Sequence, residues 1–429
     1  MIAAGFGGAR LAPRRFARVL RSLLGGGIGS AALPAALLLA VILGQRSAIG
    51  LFLPPMNTAT GIGFAALSTA VAIGQVGWGL AQPLSAALAE RYGPTRVIAS
   101  GAVLSALGNV AVVFATTAAG MFVAIGLGSA AGAAAGGAPL LLGLVAQRVS
   151  SKRRGLASGI VSAGGSAGQM VFAPLAQGVI AHAGWVCAMV LMSAITLAVA
   201  PLARAFRSGH RAADAARIPG STATPSAAER AFARRSALRD PFYWALSGGF
   251  AICGFHVGFL VAHVPGVIES CGMPATLAGL WIALVGACNI VGSIVSGALT
   301  RTRSMPHMLM ALYAARAAGV LVFIAAPKTT FVMLGFALWM GATYMATVPP
   351  TTGLLARRYG AGNLGALFAI AMLIHQLASA LGVWLGGLAF EVSGHYNWFW
   401  SLDIALALLA VAIHVPLASA RAAPFPDAR

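Results

Sequence analysis

Long apolar runs alternate with short polar segments along most of the chain, from about residue 31 to residue 418. A helix that spans the hydrocarbon core of a bilayer needs about 20 consecutive, mostly apolar residues. Twelve segments meet this requirement, with approximate limits 31–54, 64–88, 97–117, 121–146, 156–181, 185–203, 241–265, 275–299, 307–326, 330–355, 364–388 and 397–418. The pattern therefore predicts an all-α polytopic membrane protein with twelve transmembrane helices.

Composition favours a membrane protein over a soluble helical one. Of the 429 residues, 59% are hydrophobic and 8% are charged, whereas about 25% of the residues of a soluble domain are charged. A soluble core of this size would need a charged surface, and the chain has too few charges to make one.

The basic residues lie almost entirely on one side of the predicted spans. Of the 28 Lys and Arg residues, 25 fall in the two tails and the even-numbered loops. Lys328 falls on the opposite side, and Arg46 and Arg316 fall inside spans. Because the Lys/Arg bias sets orientation, both termini and all even-numbered loops are predicted to be cytoplasmic. The net charge of +20 is spread over these loops, which argues against a nucleic-acid partner.

The longest predicted connection, 204–240, is rich in Ala, Arg, Ser and Pro and separates six spans from six. The predicted units are a basic cytosolic tail at 1–30, a six-helix bundle at 31–203, a cytosolic linker at 204–240, a second bundle at 241–418 and a cytosolic tail at 419–429. The N-terminal segment resembles the start of a signal peptide. The apolar stretch after it is about 24 residues long and ends in Pro-Pro, so we expect a retained first span.

The two halves repeat each other at a fixed offset. Six residues recur 210 positions later without a gap, namely Pro139, Gly143, Ala146, Arg148, Gly155 and Gly184 as Pro349, Gly353, Ala356, Arg358, Gly365 and Gly394. Matching glycines are common in a chain with 54 of them, but matching Pro and Arg residues are not. The repeated prolines also predict symmetrical kinks in spans 4 and 10.

The segment AALAERYGPTRV, residues 86–97, resembles the 2–3 loop signature of major facilitator transporters, a Gly followed by Asp-Arg-x-Gly. Ala86 and Glu90 replace the Gly and the Asp, while Arg91 and Gly93 match. With the twelve spans and the repeat, the resemblance covers about residues 30–420. It implies two pseudo-symmetric six-helix halves with a substrate site between them near the membrane midplane. It also implies that Glu90, Arg91 and Gly93 belong to a conformational-switch loop.

Several stretches resemble the monocarboxylate-transporter-like branch of that family, including its bacterial members. They are GQRSAIGLFLPPM, RRGLASGIVSAGGSAGQMVFAPLAQ, CGFHVGFLVAHVPGVIESCGMP, CNIVGSIVSG and ALYAARAAG. In that branch a basic residue followed by Ser in the first span is implicated in holding the substrate carboxylate, and Arg46 and Ser47 occupy the matching place. Span 8 departs from the animal members, because Asn289 and Ser293 replace an Asp and an Arg. This departure puts the proton-coupling pair of those members in doubt here.

Arg46 lies about 5 Å past the middle of the first predicted span. An intramembrane Arg costs at least about 2.5 kcal/mol and is tolerated where it faces a cavity or a partner. No acidic residue is expected near the middle of the membrane, since Glu269, Glu391 and Asp403 are placed near its outer side. An anionic substrate would supply the missing charge, and a guanidinium suits a bidentate carboxylate. The alternative is a structural Arg bonded to backbone carbonyls or glutamines.

Other polar residues inside the predicted spans are further candidates. Arg316 and Tyr313, one turn apart on span 9, either brace span 8 near Asn289 or contact substrate. Three histidines are candidates for carrying a proton, or else packed donors to neighbouring helices: His256, His263 and His375. The first two are seven residues apart and share one face of span 7. The candidates for the substrate cavity are Gln45, Gln75, Gln169, His256, Asn289, Tyr344 and Gln376.

The sequence has no Walker loop, HExxH, GxSxG or paired carboxylates, and its four cysteines lack metal-ligand spacing. We therefore expect no enzyme, no ATP-driven pump, no metal and no cofactor. The prediction is a monomeric secondary active transporter of the bacterial inner membrane that moves a small organic anion, a mono- or dicarboxylate. Proton symport and anion exchange both stay open, as do import and export. The alternatives are a major facilitator efflux pump for a drug, a siderophore or another neutral or anionic metabolite, and a membrane sensor, for which the loops and tails are short.

Overall fold

The computed structural model describes residues 28–146, 148–149, 154–207, 235–300, 302–360 and 363–419. All regular secondary structure in these ranges is helical. A π-helical turn, Ile28–Ala32, leads into the first helix. The predicted linker and tails fall mostly outside the described residues, so the predicted limits of those units stay predictions.

The first half starts with α1, which is Leu33–Ser47 and continues through the 3-10 turn Ile49–Phe52 and the helix Leu53–Thr60. The next helices are α2 (Phe64–Tyr92), α3 (Pro94–Phe114) and α4, which is built from Ala118–Met121, Phe122–Ser129, Ala130–Ala134 and Ala138–Ala146. A long helical stretch, Arg154–Val199, then ends in the 3-10 turn Ala200–Phe206.

Gly184 divides that long stretch into two helices. Its φ of 81° and ψ of 164° are not helical, and this conformation favours glycine because glycine has no Cβ. By length and composition, eleven described helices could cross a membrane, and one of them, Gly159–Phe206, has 48 residues. Such a helix is about twice as long as a single span needs to be. Divided at Gly184 into α5 (154–183) and α6 (185–199), it completes the twelve predicted spans.

The second half repeats the first. Its helices are α7 (Pro241–Ser270), α8 (Thr276–Leu299), α9 (Met305–Ala325), α10 (Thr330–Thr343 and Val348–Tyr359), α11 (Leu364–Ser393) and α12 (Asn397–Ser419). The all-helical architecture in two halves confirms the predicted fold class.

Helices α4 and α10 are interrupted at equivalent places, at 135–137 and 344–347. Each helix resumes one residue before a repeated proline, Pro139 or Pro349. Proline has no N–H to bond the carbonyl four residues earlier, so it interrupts a continuous helix, but it is tolerated in the first turn of a new one. The repeated prolines thus account for both breaks, as the sequence predicts.

The halves contact each other along two pairs of helices, α2 with α11 and α5 with α8. At the predicted outer end, α1 also contacts α7, where Gly50 lies against the carbonyl groups of Val261 and Ala262. Beside this contact, Oε2 of Glu391 accepts a hydrogen bond from the amide of Ala65 at 2.8 Å, so that α11 caps the start of α2. These contacts close the bundle at that end.

Asp240 joins the start of α7 to the end of α10. Its Oδ1 accepts a hydrogen bond from the amide of Phe242 at 2.9 Å and so caps α7. Its Oδ2 accepts hydrogen bonds from Nε of Arg358 at 2.7 Å and from the hydroxyl of Tyr359 at 2.8 Å. Burial by itself raises the pKa of the Asp240 carboxyl, but the hydrogen bonds from Arg358, Phe242 and Tyr359 outweigh it and hold the pKa below its ordinary value.

We expect Asp240→Ala to lower the free energy of unfolding in detergent by about 2 kcal/mol at neutral pH, because an N-cap contributes about 1 kcal/mol and a charge-assisted hydrogen bond at least as much. A carboxyl whose folded pKa is lowered stabilises the protein above its unfolded pKa, and this stabilisation is lost as the pH falls through the folded pKa. The difference from the native protein should therefore shrink below about pH 4. Thermal unfolding of the native protein and of Asp240→Ala at a series of pH values checks this prediction. Asp240→Asn is a further variant, which keeps the cap and loses the charge. An unchanging difference down to about pH 3 would contradict the role of the charge.

Candidate functional site

A cavity of about 860 Å³ lies between the two halves. It ends at the α1–α7 contact on the predicted outer side and extends toward the predicted cytoplasmic end, where Leu142, Pro349 and Phe368 line it. Its wall is mainly apolar. The polar side chains in the wall are therefore the groups that can orient a bound solute.

Arg46 occupies the last turn of the first segment of α1, directly before the chain leaves α-helical geometry at Ala48. A cation there is favoured by the partial negative charge of the helix C-terminus. Its guanidinium donates a hydrogen bond to Oε1 of Gln75 and lies 4.1 Å above the ring of Trp78. Among the described residues that line the cavity, it is the one side chain with a permanent charge. The site thus presents a cation held by neutral partners.

Gln75 connects Arg46 to the other half. Its Nε2 donates a hydrogen bond to Oγ of Ser379 at 3.1 Å, so a chain of three side chains runs from α1 through α2 to α11. Trp78 lies on the same face of α2, three residues after Gln75. Its Nε1 is buried and makes no hydrogen bond among the described residues. Trp78 and Ser379 are cavity residues that the sequence analysis missed, although the spacing of Gln75 and Trp78 on an apolar helix pointed to that face.

Asn289 makes the matching connection on the opposite wall. Its Nδ2 donates a hydrogen bond to Oγ of Ser166 on α5 at 3.1 Å, and its Oδ1 accepts one from the amide of Met345 in the break of α10 at 3.1 Å. Tyr344 in the same break lines the cavity and interacts with Gln169 on α5. The cavity is therefore bounded by polar contacts between the halves on both sides.

Gln45 also lines the cavity, but its amide is committed to the first half. Nε2 donates hydrogen bonds to the carbonyl of Met192 at 2.9 Å and to Oγ1 of Thr196 at 2.8 Å, while Oε1 accepts one from Nδ2 of Asn109 at 3.4 Å. Ser129 continues this network by donating to Oδ1 of Asn109 at 2.6 Å. These bonds hold the end of α1 against α3, α4 and α6, and so fix the position of the neighbouring Arg46.

The three candidate histidines lie in different surroundings. His375 and Gln376 both line the cavity, and Nδ1 of His375 is 2.8 Å from Oε1 of Gln376. His256 and His263 are buried and are not among the cavity residues. Nε2 of His263 bonds the carbonyl of Val383 at 2.7 Å, in the contact between α7 and α11.

His256 reveals an error in the sequence analysis. Its Nδ1 is 2.5 Å from Oδ2 of Asp403, and the Asp403 residue is 2% exposed. Since His256 is in the middle of α7, the expectation that no acidic side chain comes near the middle of the bundle is wrong for Asp403. The position of Asp403 along α12 can be read from the sequence, but the direction in which its side chain points cannot.

Arg316 and Tyr313 also lie outside the cavity lining. Nη2 of Arg316 donates hydrogen bonds to the carbonyls of Thr343 and Tyr344, both at 2.5 Å, and the hydroxyl of Tyr313 donates to the carbonyl of Gly249 at 2.6 Å. Carbonyls at an interrupted helix lack their usual partners, and Arg316 supplies them. Arg316 therefore braces the break of α10, and not α8 as the structural alternative supposed.

The predicted switch loop is a tight connection between α2 and α3. Gly93 stands alone between the two helices with a φ of 88°, a left-handed value that favours glycine. Arg91 lies 5.2 Å from the centre of the Tyr92 ring. The side chain of Glu90 falls outside the described residues. The role of this loop in switching stays a prediction.

Comparisons with known proteins agree with this arrangement. The family description Major Facilitator Superfamily matches residues 35–383. The chain is 26% identical over 332 residues to monocarboxylate transporter 13 of Bos taurus, covering 77% of this chain and 74% of that protein. It is 24% identical over 381 residues to the oxalate:formate antiporter of Oxalobacter formigenes, covering 85% and 84%. The crystal structure of a D-xylose-proton symporter matches with a TM-score of 0.70 at 16% identity, over 90% of this chain and 97% of that one, which shows the shared fold.

Proposed function

Because the chain belongs to the Major Facilitator Superfamily, a family of multi-pass secondary transporters, we propose that it moves small organic anions, mono- or dicarboxylates, through the cavity between its halves. The protein is a transporter and not an enzyme. We place it in a bacterial inner membrane because of its resemblance to bacterial members of the family, with both termini cytoplasmic because of the distribution of its basic residues. The solute would bind while the cavity is open on one side of the membrane, and it would be released when the cavity closes there and opens on the other side.

The single observation that carries this proposal is the charge of Arg46. Its described partners are neutral: Gln75 accepts a hydrogen bond from the guanidinium, and the ring of Trp78 lies against it. Neither partner cancels the positive charge. A cation in a mainly apolar cavity is costly unless an anion joins it. A carboxylate fits the guanidinium with two parallel hydrogen bonds and removes that cost.

Two similarities support a carboxylate over another anion. The named substrates of the oxalate:formate antiporter are both carboxylates, and monocarboxylate transporter 13 carries the substrate class in its name. The neutral polar groups of Asn289 and Tyr344, on the wall opposite Arg46, and of Gln376, on the same side as Arg46, would bind the remaining oxygen atoms of such a solute. Uptake by proton symport and exchange of one anion for another are both compatible with this site.

Transport by the purified native protein in liposomes tests the proposal. We expect saturable uptake of at least one acid from a panel of radiolabelled formate, acetate, lactate and oxalate. The neutral amide of the same acid should compete poorly, because it cannot neutralise Arg46. Protein-free liposomes are the control for leakage of the protonated acid. Uptake of none of these acids, or equal competition by the amide, would reject the carboxylate and favour neutral cargo or efflux.

A further inference from the structure

A cluster of charged side chains is buried inside the second half, apart from the cavity lining. His256 on α7, Arg316 on α9 and Asp403 on α12 are each at most 4% exposed. Nδ1 of His256 donates to Oδ2 of Asp403 at 2.5 Å, since a carboxylate can only accept. Asp403 also interacts electrostatically with Arg316, more weakly than Cys253 and Tyr313 do. With a neutral imidazole, the charges of Asp403 and Arg316 cancel, so the cluster is buried without a net charge.

The imidazole of His256 can hold a second proton without losing a strong partner. Its Nε2 faces Sδ of Met340 at 3.4 Å. A thioether is a weak acceptor, so this neighbour neither requires nor forbids a proton on Nε2. A proton on Nε2 leaves the bond from Nδ1 to Asp403 in place and makes the cluster positive by one charge.

The cluster also has unused hydrogen-bonding capacity. Oδ1 of Asp403 and both Nε and Nη1 of Arg316 are buried and make no hydrogen bond among the described residues. Unsatisfied buried polar atoms are rare in native proteins and call for an explanation. A second arrangement of the cluster, in which Asp403 binds Arg316 more directly, would satisfy atoms of both residues.

Arg316 connects this cluster to the cavity. Its Nη2 holds the carbonyls of Thr343 and Tyr344 at the break of α10, and Tyr344 lines the cavity. His256 lies on α7, which also carries the outer contact with Gly50 through Val261. Opening the outer end therefore separates α1 from the helix that carries His256.

We propose, on the basis of the proposed function, that the His256–Asp403 pair is the proton-binding site of this transporter. A proton taken up on Nε2 of His256 adds a positive charge beside the cavity and favours the carboxylate held by Arg46. The carboxylate in turn favours the proton by the same amount, because coupling between two ligands is reciprocal. Proton and carboxylate then travel together, and this makes the protein a symporter.

Other ionisable groups surround the cluster. They are Cys253 on α7, Tyr313 on α9, Tyr344 on α10, His375 on α11 and His414 on α12. His414 bonds the carbonyl of Ala410 and packs on the ring of Tyr313 at 5.4 Å, so Tyr313 lies between it and Arg316. His256 differs from these groups in its direct bond to a carboxylate.

Two transport assays on one variant test the proposal. His256→Gln leaves Arg316 and Asp403 as a balanced pair, so it should fold. With an acid from the panel that the native protein transports, accumulation driven by an inward proton gradient should fall by about tenfold or more, while counterflow at equal pH stays within about threefold of native. His307→Gln, an exposed histidine bonded to Ser304, is the matched control and should change neither assay. A parallel loss of both activities, or unchanged accumulation, would overturn the proton site.

A second measurement does not depend on transport. Infrared difference spectra of the native protein and of Asp403→Asn, without any carboxylate solute, are recorded from about pH 4 to about pH 9, a range that covers ordinary carboxyl and imidazole groups. We expect a pH-dependent carboxylate band that is missing in Asp403→Asn and shifted in His256→Gln. Absence of such a band would overturn the proton site even if the carboxylates are transported. If the band is present but no carboxylate is transported, the proposed carboxylate cargo is rejected and the proton site at His256 and Asp403 is retained.

Discussion

Replacing Arg46 by Gln is expected to lower carboxylate uptake at subsaturating concentration by at least about 30-fold, because removing one partner of a buried charge pair costs about 2 to 5 kcal/mol. Gln keeps a polar, hydrogen-bonding side chain near Gln75 and Trp78, though a shorter one, and removes the charge that balances the substrate. Arg46→Lys keeps the charge and loses the bidentate geometry, so its uptake should fall between the two. Radiolabelled uptake in liposomes at several concentrations measures all three proteins.

Stability separates a binding role of Arg46 from a structural one. An unbalanced cation in an apolar cavity costs free energy in the empty protein, so Arg46→Gln should unfold at the native temperature or above it. If Arg46 were structural, the substitution would lower the unfolding temperature. Arg357→Gln is the matched control, because Arg357 is exposed near the predicted cytoplasmic end and donates to the carbonyl of Thr300 at 3.3 Å. Normal uptake by Arg46→Gln, with a lower unfolding temperature, would move Arg46 to the structural role.

Replacing Gly50 by Val is expected to shift the protein away from the conformation described here and toward one that is open at the outer end. A Cβ at position 50 would overlap the backbone carbonyls of Val261 and Ala262, and backbone atoms cannot move aside as a flexible side chain can. Overpacking of this kind costs about 1 to 3 kcal/mol, which changes the ratio of two conformations by about 5- to 150-fold. The cost applies to the closed contact and disappears when α1 and α7 separate.

The distance between the outer ends of α1 and α7 measures this shift. Spin labels at Thr58 and Ser270, two exposed positions, would report it after the native cysteines are replaced by alanine. We expect a longer distance in Gly50→Val and slower counterflow. Gly335→Val is the control, because a Cβ there meets no atom within 4 Å. An unchanged distance, or an equal change in the control, would mean that the α1–α7 contact does not set the conformation.

The candidate site shows where sequence reasoning succeeds within this protein. Arg46 was recognisable because a charge inside an apolar run of spanning length is exceptional whatever the neighbouring helices do. Asn289, Tyr344 and Gln376 were also named, and they line the cavity. His256 and His263 resembled them in the sequence and are not among the cavity residues.

The difference arises from the helices that carry these residues. A soluble helix shows its buried face by the alternation of apolar and polar positions, but α7 is mainly apolar on every side and most of it is buried. Its sequence therefore gives no direction for His256. The partner of that histidine, Asp403, lies 147 positions away, and no local pattern connects the two.

What the sequence by itself determined is the set of properties that depend on local length and residue type. These are the twelve spans, the repeated halves, the breaks before Pro139 and Pro349, the turn at Gly93 and the unusual charge of Arg46. What only the tertiary structure decided is the partnership of polar groups across helices, such as Gln75 with Ser379 in the wall of the cavity and Arg316 with the break of α10. The reason is physical: in an apolar environment, burial is similar on every side of a helix, so the hydrogen bonds between particular side chains follow from packing, which no single segment encodes.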